Sequence, residues 1–383
     1  MLRVSPLQPA EWPALVDALA QSFNAPRAGW DVFRDRVGDE NLLVAREGDR
    51  VVGGCGVYRM GQVWQGRSVT LGGVAGVGVL PDARSRGVAR LLMEEALRWM
   101  HTQGLAVAGL YPATQRVYRS AGYEQAGERV RYELPLDALA GFRTEVEVVP
   151  VEPLDERVQA ELARRYRPAH GNLDRGTAIW ARLTQPVGGR RFAWLLGEEG
   201  YVILSHSPAE SPPFDLDVVD LVAPTAPAAR TLLALMASHR SIARKLRWYG
   251  AAHDPLLALV AEPRWSVVEL QRWMLRIVDL QAALLGRGWA PGAAGELHLR
   301  VEDPLLRHNE GAWVLSVADG RAEVERGGRG DLQVSTRSLG PLYSGYYGGT
   351  ALAALGHLTG PDSALLAADR LFAGPTPTMR EMY

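Results

Sequence analysis

Gly76-Val77-Gly78-Val79-Leu80-Pro81-Asp82-Ala83-Arg84-Ser85-Arg86-Gly87-Val88-Ala89-Arg90 is the stretch whose reading decides the fold. Its Val- and Gly-rich half ends a β-strand near Leu80, and Pro81-Asp82 opens a tight loop. A long amphipathic helix follows over Ser85–Thr102, with Val88, Leu91, Leu92, Ala96, Leu97 and Met100 at helical spacing. Arg84-x-x-Gly87-x-Ala89 therefore occupies the turn into a helix. The first helical turn has N–H groups without an intrahelical acceptor, and aligned peptide dipoles add partial positive charge there. Small residues let a ligand approach the backbone, so the turn suits a pyrophosphate. Arg84, Arg86 and Arg90 add cationic donors. Glycines and arginines at a helix start also occur in proteins that bind nothing, so the turn alone does not name a ligand. It lacks the Gly-Lys-Ser/Thr of a Walker loop and the G-x-G-x-x-G spacing of a dinucleotide fold.

Outward from this turn, a short strand is expected near Leu2–Val4, then helices over Pro9–Phe23 and Trp30–Val37. Asn41–Glu47 and Arg50–Met60 read as a hairpin turning at Gly48-Asp49, and Val63–Leu80 as further strand. After the long helix come a strand at Leu105–Leu110, a short helix at Thr114–Ala121 and a strand at Tyr123–Leu134. This order predicts a mixed sheet with one parallel crossover. The region from Glu145 repeats it without a glycine-rich turn: helix Asp155–Tyr166, strands within Phe192–Ser205 and Asp217–Ala223, helix Pro227–His239 and strand Lys245–Ala251. From Asp279 onward, Gly295–Val301, Gly311–Val317, Arg321–Arg326 and Asp331–Ser335 read as strands. Asp319-Gly320 makes the hairpin turn. Ser338–Tyr343, Thr350–Leu355 and Ser363–Phe372 read as helices, followed by an exposed-looking irregular tail to Tyr383.

The strand, Pro-containing loop, Arg84-x-x-Gly87-x-Ala89 turn and Leu91-Leu92-Met93 helix resemble the acetyl-CoA motif of the GNAT superfamily. Tyr118-Arg119-Ser120-Ala121-Gly122-Tyr123 is similar to the GNAT segment in which a tyrosine faces the departing thiol. Arg272-Trp273-Met274-Leu275-Arg276-Ile277-Val278-Asp279 resembles a signature of the Eis (enhanced intracellular survival) family. The resemblance implies an α/β (α+β) chain in three parts: a catalytic GNAT domain with a mixed sheet (1–140), a degenerate GNAT-like domain (141–280) and a sterol-carrier-protein-like α+β domain (281–383). It implies an N-acetyltransferase that moves an acetyl group from acetyl-CoA to the amine of a polyamine, an aminoglycoside-like acceptor or a lysine, in a hexamer.

Carried over residue by residue, Val77 and Val79 would pair with the pantetheine arm. Arg84, Ser85, Arg86, Gly87, Val88, Ala89 and Arg90 would surround the pyrophosphate. A strand-end N–H at Val79 would stabilise the oxyanion. Tyr118 would be the general acid and the carboxylate of Tyr383 the base. Phe23, Trp30, Asp31 and Asp35 would line the acceptor pocket. Where the family often has a serine five positions before the tyrosine, this chain has Ala113, with Thr114 beside it as the remaining cofactor hydroxyl.

The net charge of −1 gives no electrostatic reason to expect nucleic acid or an anionic membrane as partner. Cys55 is the sole cysteine, which leaves no intrachain disulfide and reads as a small core residue. The eight histidines are scattered without H-x-x-x-H or Cys/His spacing, so no metal site is expected. The first residues carry Glu11 and Asp17 and no unbroken apolar run, as neither a signal peptide nor a spanning helix would. A cytoplasmic protein is expected. The competing function is a lipid- or ligand-binding protein on an inactive GNAT scaffold.

Overall fold

The computed structural model describes residues 1–186, 189–209 and 211–383. Strand β1 (Leu2–Pro6) leads through helices α1 (Trp12–Phe23) and α2 (Ala28–Val37) to β2 (Leu42–Glu47), with which it pairs antiparallel. β2, β3 (Arg50–Trp64) and β4 (Arg67–Val79) form an antiparallel meander. The strand expected over Val63–Leu80 is broken at Gln65-Gly66, whose φ values of 45 and 79° make a two-residue hairpin turn. Helix α3 (Val88–Thr102) crosses over to β5 (Val107–Leu110), which pairs parallel to β4. Leu92, Met93, Ala96, Leu97 and Met100 of α3 are buried against this sheet. Each large apolar side chain there contributes about 1.5–3 kcal/mol. The helix starts at Val88 rather than Ser85 because Ser85 and Gly87 both have positive φ. Short helix α4 (Gln115–Ser120) then leads into β6 (Glu124–Pro135).

Next come β7 (Val148–Val151), α5 (Glu156–Arg165), β8 (Leu173–Asp174), α6 (Thr177–Thr184), β9 (Phe192–Leu196), β10 (Gly200–His206), β11 (Phe214–Val222), α7 (Ala226–Ala237), β12 (Ala243–Gly250) and β13 (Ser266–Ile277). By contacts, residues 128–167 and 177–271 form one compact unit, and 1–127, 168–176 and 272–383 form the other. The first and last of these borders fall inside β6 and β13. The smaller unit has the strand order β6-β12-β11-β10-β9-β7. Its β11 and β12 are parallel with α7 between them, which repeats the β4-α3-β5 crossover. The turn into α7 differs in kind: the Thr225 hydroxyl accepts from Ala228 N at 3.3 Å, and Pro227 occupies the first turn. That helix end is closed by its own cap.

In the larger unit the chain resumes with the end of β13, where Met274–Ile277 pair antiparallel with β5. Helix α8 (Leu280–Gly286) precedes a second sheet of β14 (Gly295–Glu302), β15 (Gly311–Ala318), β16 (Arg321–Arg326), β17 (Leu332–Ser335) and β18 (Leu358–Thr359), in the order β16-β15-β14-β17-β18. Helices α9 (Thr336–Ser344), α10 (Gly349–Ala354) and α11 (Asp362–Phe372) complete it. Among the described residues, no helix is long and apolar enough to cross a membrane.

Candidate active site

Three features of β4 and its neighbours build the site. The β3–β4 register passes from Gly54↔Gly78 to Gly56↔Ala75, so β4 carries one extra residue. Gly76 absorbs this bulge at φ +61°, with room for a Cβ only 3.0 Å from the Phe33 ring. β4 pairs with β5 only at Leu71–Gly73, and β5 ends at Leu110 while β4 runs on to Val79. Beyond Gly73, the edge of β4 that faced β5 has no ladder with it. Val77 and Val79 lie on this stretch. The Val79 carbonyl is engaged, since it accepts from Arg84 Nε at 3.0 Å and Ser22 Oγ at 3.3 Å. An incoming chain would therefore meet the remaining backbone groups of this strand.

The mouth of α3 lies directly after that edge. Gly87, at φ +82°, is its N-cap and supplies no side-chain cap; a Cβ placed there would meet nothing within 4 Å. Arg84, Ser85, Arg86, Gly87 and Arg90 are exposed around it, with Ala89 half-buried and Val88 buried. Arg86 pairs with Glu47, and Arg90 Nε lies 2.7 Å from Glu94. Exposed pairs of this kind are worth little and give way to a stronger anion. The structure thus brings the expected phosphate-facing residues together at an open helix end. Thr114 is the N-cap of α4 and exposed, and its hydroxyl makes no capping bond to its own helix.

Tyr118 sits on α4 with its ring in the core that also contains Cys55, Val57, Val74, Leu110 and Tyr123. It is 7% exposed, and burial pushes its hydroxyl up to about 12. It is therefore a protonated hydroxyl throughout the physiological range. Cys55 is buried, and the same desolvation raises its thiol to about 12, which leaves it inert as a nucleophile.

The tail does not behave as its sequence suggested. Pro377, Thr378, Met379 and Glu381 are buried rather than exposed. Thr378 N donates to His170 O at 3.1 Å, Asn172 Nδ2 to Thr378 O at 2.5 Å and Tyr111 Oη to Met379 O at 3.1 Å. Arg175 and Glu381 form a buried ion pair at 2.5 Å. The segment 168–176, beside β3, is thus a clamp for the last residues. It delivers the Tyr383 ring to within 6.3 Å of Tyr58 and 6.2 Å of Tyr111, centroid to centroid. The ring rests on Gly73 and Gly109, at the last rungs where β4 and β5 still pair. A Cβ on Gly73 would lie 2.7 Å from the Tyr383 ring, and one on Gly109 would lie 2.8 Å from its hydroxyl. Gly73→Ala should push against both the Met60 methyl and the Tyr383 ring and destabilise the larger unit by about 1–3 kcal/mol, the cost of overpacking. Chemical denaturation would verify this; unchanged stability would show that the ring is not held by this close approach.

Phe23 and Trp30 meet at 5.4 Å, Trp30 and Phe33 at 5.4 Å, and Phe33 and Tyr58 at 6.0 Å. With Tyr383 they form a continuous aromatic series from the end of α1 across β3. Asp31 and Asp35 do not share the aromatic face. They lie about 100° or more around α2 from Trp30, and Asp31 Oδ1 accepts from Trp12 Nε1 at 2.9 Å. Phe33, Tyr58, Tyr111 and the 168–176 clamp were not singled out from sequence. Phe33 follows Trp30 at helical spacing, which could have flagged it; the clamp carries no local signal.

Comparison with known proteins agrees with this geometry. Residues 3–126 match a family model described as "Acetyltransferase (GNAT) domain", and residues 171–277 match a second model of the same description. Residues 280–380 match "Sterol carrier protein domain". The chain is 28% identical to "N-acetyltransferase Eis" of Mycobacterium tuberculosis, with 96% of each chain covered. It superposes on a GCN5-related N-acetyltransferase from Anabaena variabilis with a TM-score of 0.95 at 33% identity, covering all of both chains. A GCN5-related N-acetyltransferase from Kribbella flavida gives a TM-score of 0.89 at 34% identity, covering 100% of this chain and 98% of the other.

Proposed function

This chain belongs to the GCN5-related N-acetyltransferase family as an Eis-like acyltransferase, and from that premise we propose that it acetylates the amine of a small polyamine, an aminoglycoside-like acceptor or a lysine with acetyl-CoA. The observation that carries this reading is the uncapped mouth of α3 at Gly87, which follows directly on the unladdered edge of β4.

The pyrophosphate of acetyl-CoA would take the free N–H groups of Val88, Ala89 and Arg90, with Arg84, Ser85, Arg86 and Gly87 around it. The pantetheine arm would add along Val77 and Val79, with Thr114 near it. The acceptor amine would enter past Phe23 and Trp30, whose ring faces suit a cation, with Asp31 and Asp35 contributing charge from the flank of α2. Direct attack on the thioester carbon forms the C–N bond. The Val79 N–H stabilises the oxyanion, and Tyr118 donates its proton to the departing sulfur. The Tyr383 carboxylate takes the proton that the amine loses, directly or through a water. We assign catalysis to residues 1–140, the degenerate copy to 141–280 and tail delivery to 281–383, in a cytoplasmic hexamer.

The test is thiol release from acetyl-CoA across a panel of amines, repeated on a chain with one glycine appended after Tyr383. Turnover should appear with one class of amine, and the extension should lower it by roughly a hundredfold, within the range for loss of a general base. Turnover unaffected by the extension would remove the carboxylate from the mechanism. Failure of calorimetry to detect acetyl-CoA binding would remove the whole assignment.

A further inference from the structure

His101, Asp279 and His308 are far apart in sequence, yet the fold gathers them. His101 lies in the last turn of α3, Asp279 is the N-cap of α8, and His308 lies in the loop between β14 and β15. One ligating atom from each falls within 4.8 Å of the others, and all three side chains are half-buried. The imidazoles stack with centroids 3.6 Å apart and planes at 14°. Asp279 Oδ2 lies 4.0 Å from His101 Nδ1. We propose that these three residues form a binding site for one divalent first-row transition metal ion, of the Zn2+ class, that pins the C-terminal end of α3 to the start of the sterol-carrier-like region.

The second layer around the trio is what a ligand set needs. His308 Nε2 lies 2.8 Å from Val278 O, which fixes the proton on Nε2 and leaves the Nδ1 lone pair for a metal. Metal-bound histidines commonly donate their other N–H to a carbonyl in this way. Asp279 Oδ1 is held by Ala282 N at 2.9 Å, which orients the carboxylate and leaves Oδ2 turned toward His101. Asn309 Nδ2 braces Val278 O from a second direction at 3.1 Å, and its Oδ1 accepts from Leu280 N at 2.8 Å. Two imidazoles and one carboxylate are a donor set suited to Zn2+, with water completing a tetrahedron. Parallel stacked rings cannot both aim in-plane lone pairs at one ion. Binding therefore requires the half-exposed His101 ring to turn out of the stack, which draws the donors to about 2.0–2.1 Å from the ion.

The test uses full-length protein stripped with chelator and titrated with Zn2+ by calorimetry, with Co2+ as an optical probe. The expected result is one equivalent of Zn2+ and the intense visible absorption of four-coordinate Co2+. Each of His101→Ala, His308→Ala and Asp279→Asn should weaken binding by at least roughly tenfold, while His253→Ala, at an exposed histidine elsewhere, leaves it unchanged. Asp279→Asn retains the side-chain oxygen that caps α8, so its loss of affinity reports the ion rather than the fold. Metal-free thermal unfolding checks the two alanine variants. Absence of a stoichiometric Zn2+ heat, or affinity retained in all three variants, would overturn the site.

Discussion

Tyr118→Phe should lower kcat by roughly 10²–10⁴-fold and leave acetyl-CoA affinity unchanged. The substitution removes one oxygen and keeps the ring, which belongs to the core that also holds Cys55, Val57, Val74 and Leu110. The core should therefore hold, and the loss should fall on the chemical step. Without the hydroxyl, the thiolate leaves unprotonated, and the thioester's advantage as a leaving group is all that remains. The pH dependence has a definite sign. The acid must be protonated to act, and burial holds the Tyr118 hydroxyl up at about 12. It stays protonated at every pH below that value. In the wild-type protein kcat/KM should rise with pH as the acceptor amine loses its proton, with no falling limb below about pH 11. A hydroxyl this weak transfers its proton uphill to a thiolate near about 8.5, so donation is expected to be concerted with proton loss from the attacking amine. A descending limb near pH 8–9, or a Phe variant with full kcat, would assign the acid to another group.

Val77 to Arg90 shows why some of this site was legible in the sequence. A strand, a proline loop and an amphipathic helix are local patterns, and the open helix mouth depends only on residues close together in the chain. The same holds for α4 and Tyr118, which lie within a few residues of their expected positions. The degenerate copy was legible because the order of elements repeats without the glycine-rich turn; that Thr225 closes α7 where Gly87 leaves α3 open is what the structure adds. What could not be read depends on long-range contacts. Arg175 and Glu381 are buried as a pair across more than two hundred residues, and neither position has periodicity or turn chemistry to announce it. The tail Met379–Tyr383 looked exposed because nothing near it in sequence could cover it. Asp31 and Asp35 came from the family resemblance of their segment, and the bond from Trp12 Nε1 to Asp31, nineteen residues away, is another contact that local pattern does not announce. Helix α6 and the strand β13 went unread. β13 instead stood out as a family signature, and its core role emerged only from burial: Trp273, Met274, Leu275, Arg276 and Ile277 are fully buried.

That burial sets the second large effect. Arg276→Ala should destabilise the larger unit by about 3–5 kcal/mol, the cost of stranding a buried carboxylate. Arg276 and Asp303 are both inaccessible, with Arg276 Nη2 2.7 Å from Asp303 Oδ1. Asp303 also accepts from Leu306 N at 2.9 Å and Asn309 Nδ2 at 3.0 Å, which are not enough to solvate a full charge in the core. The arginine has a second duty. Its Nε donates to Ala121 O at 3.1 Å, three residues after Tyr118, and its Nη1 to Ile277 O at 2.7 Å. It therefore ties the end of α4, and with it Tyr118, to β13. Chemical denaturation should show the loss of stability. At temperatures where the variant is still folded, kcat should fall while acetyl-CoA affinity holds. Pairing the change with Asp303→Leu, as Arg276→Met/Asp303→Leu, removes the stranded charge and should restore most of the stability, yet it cannot restore the bond to Ala121 O. Stability recovered with kcat still low is the expected outcome. Recovery of both would show that Arg276 acts through the ion pair alone, and recovery of neither would place its weight on packing.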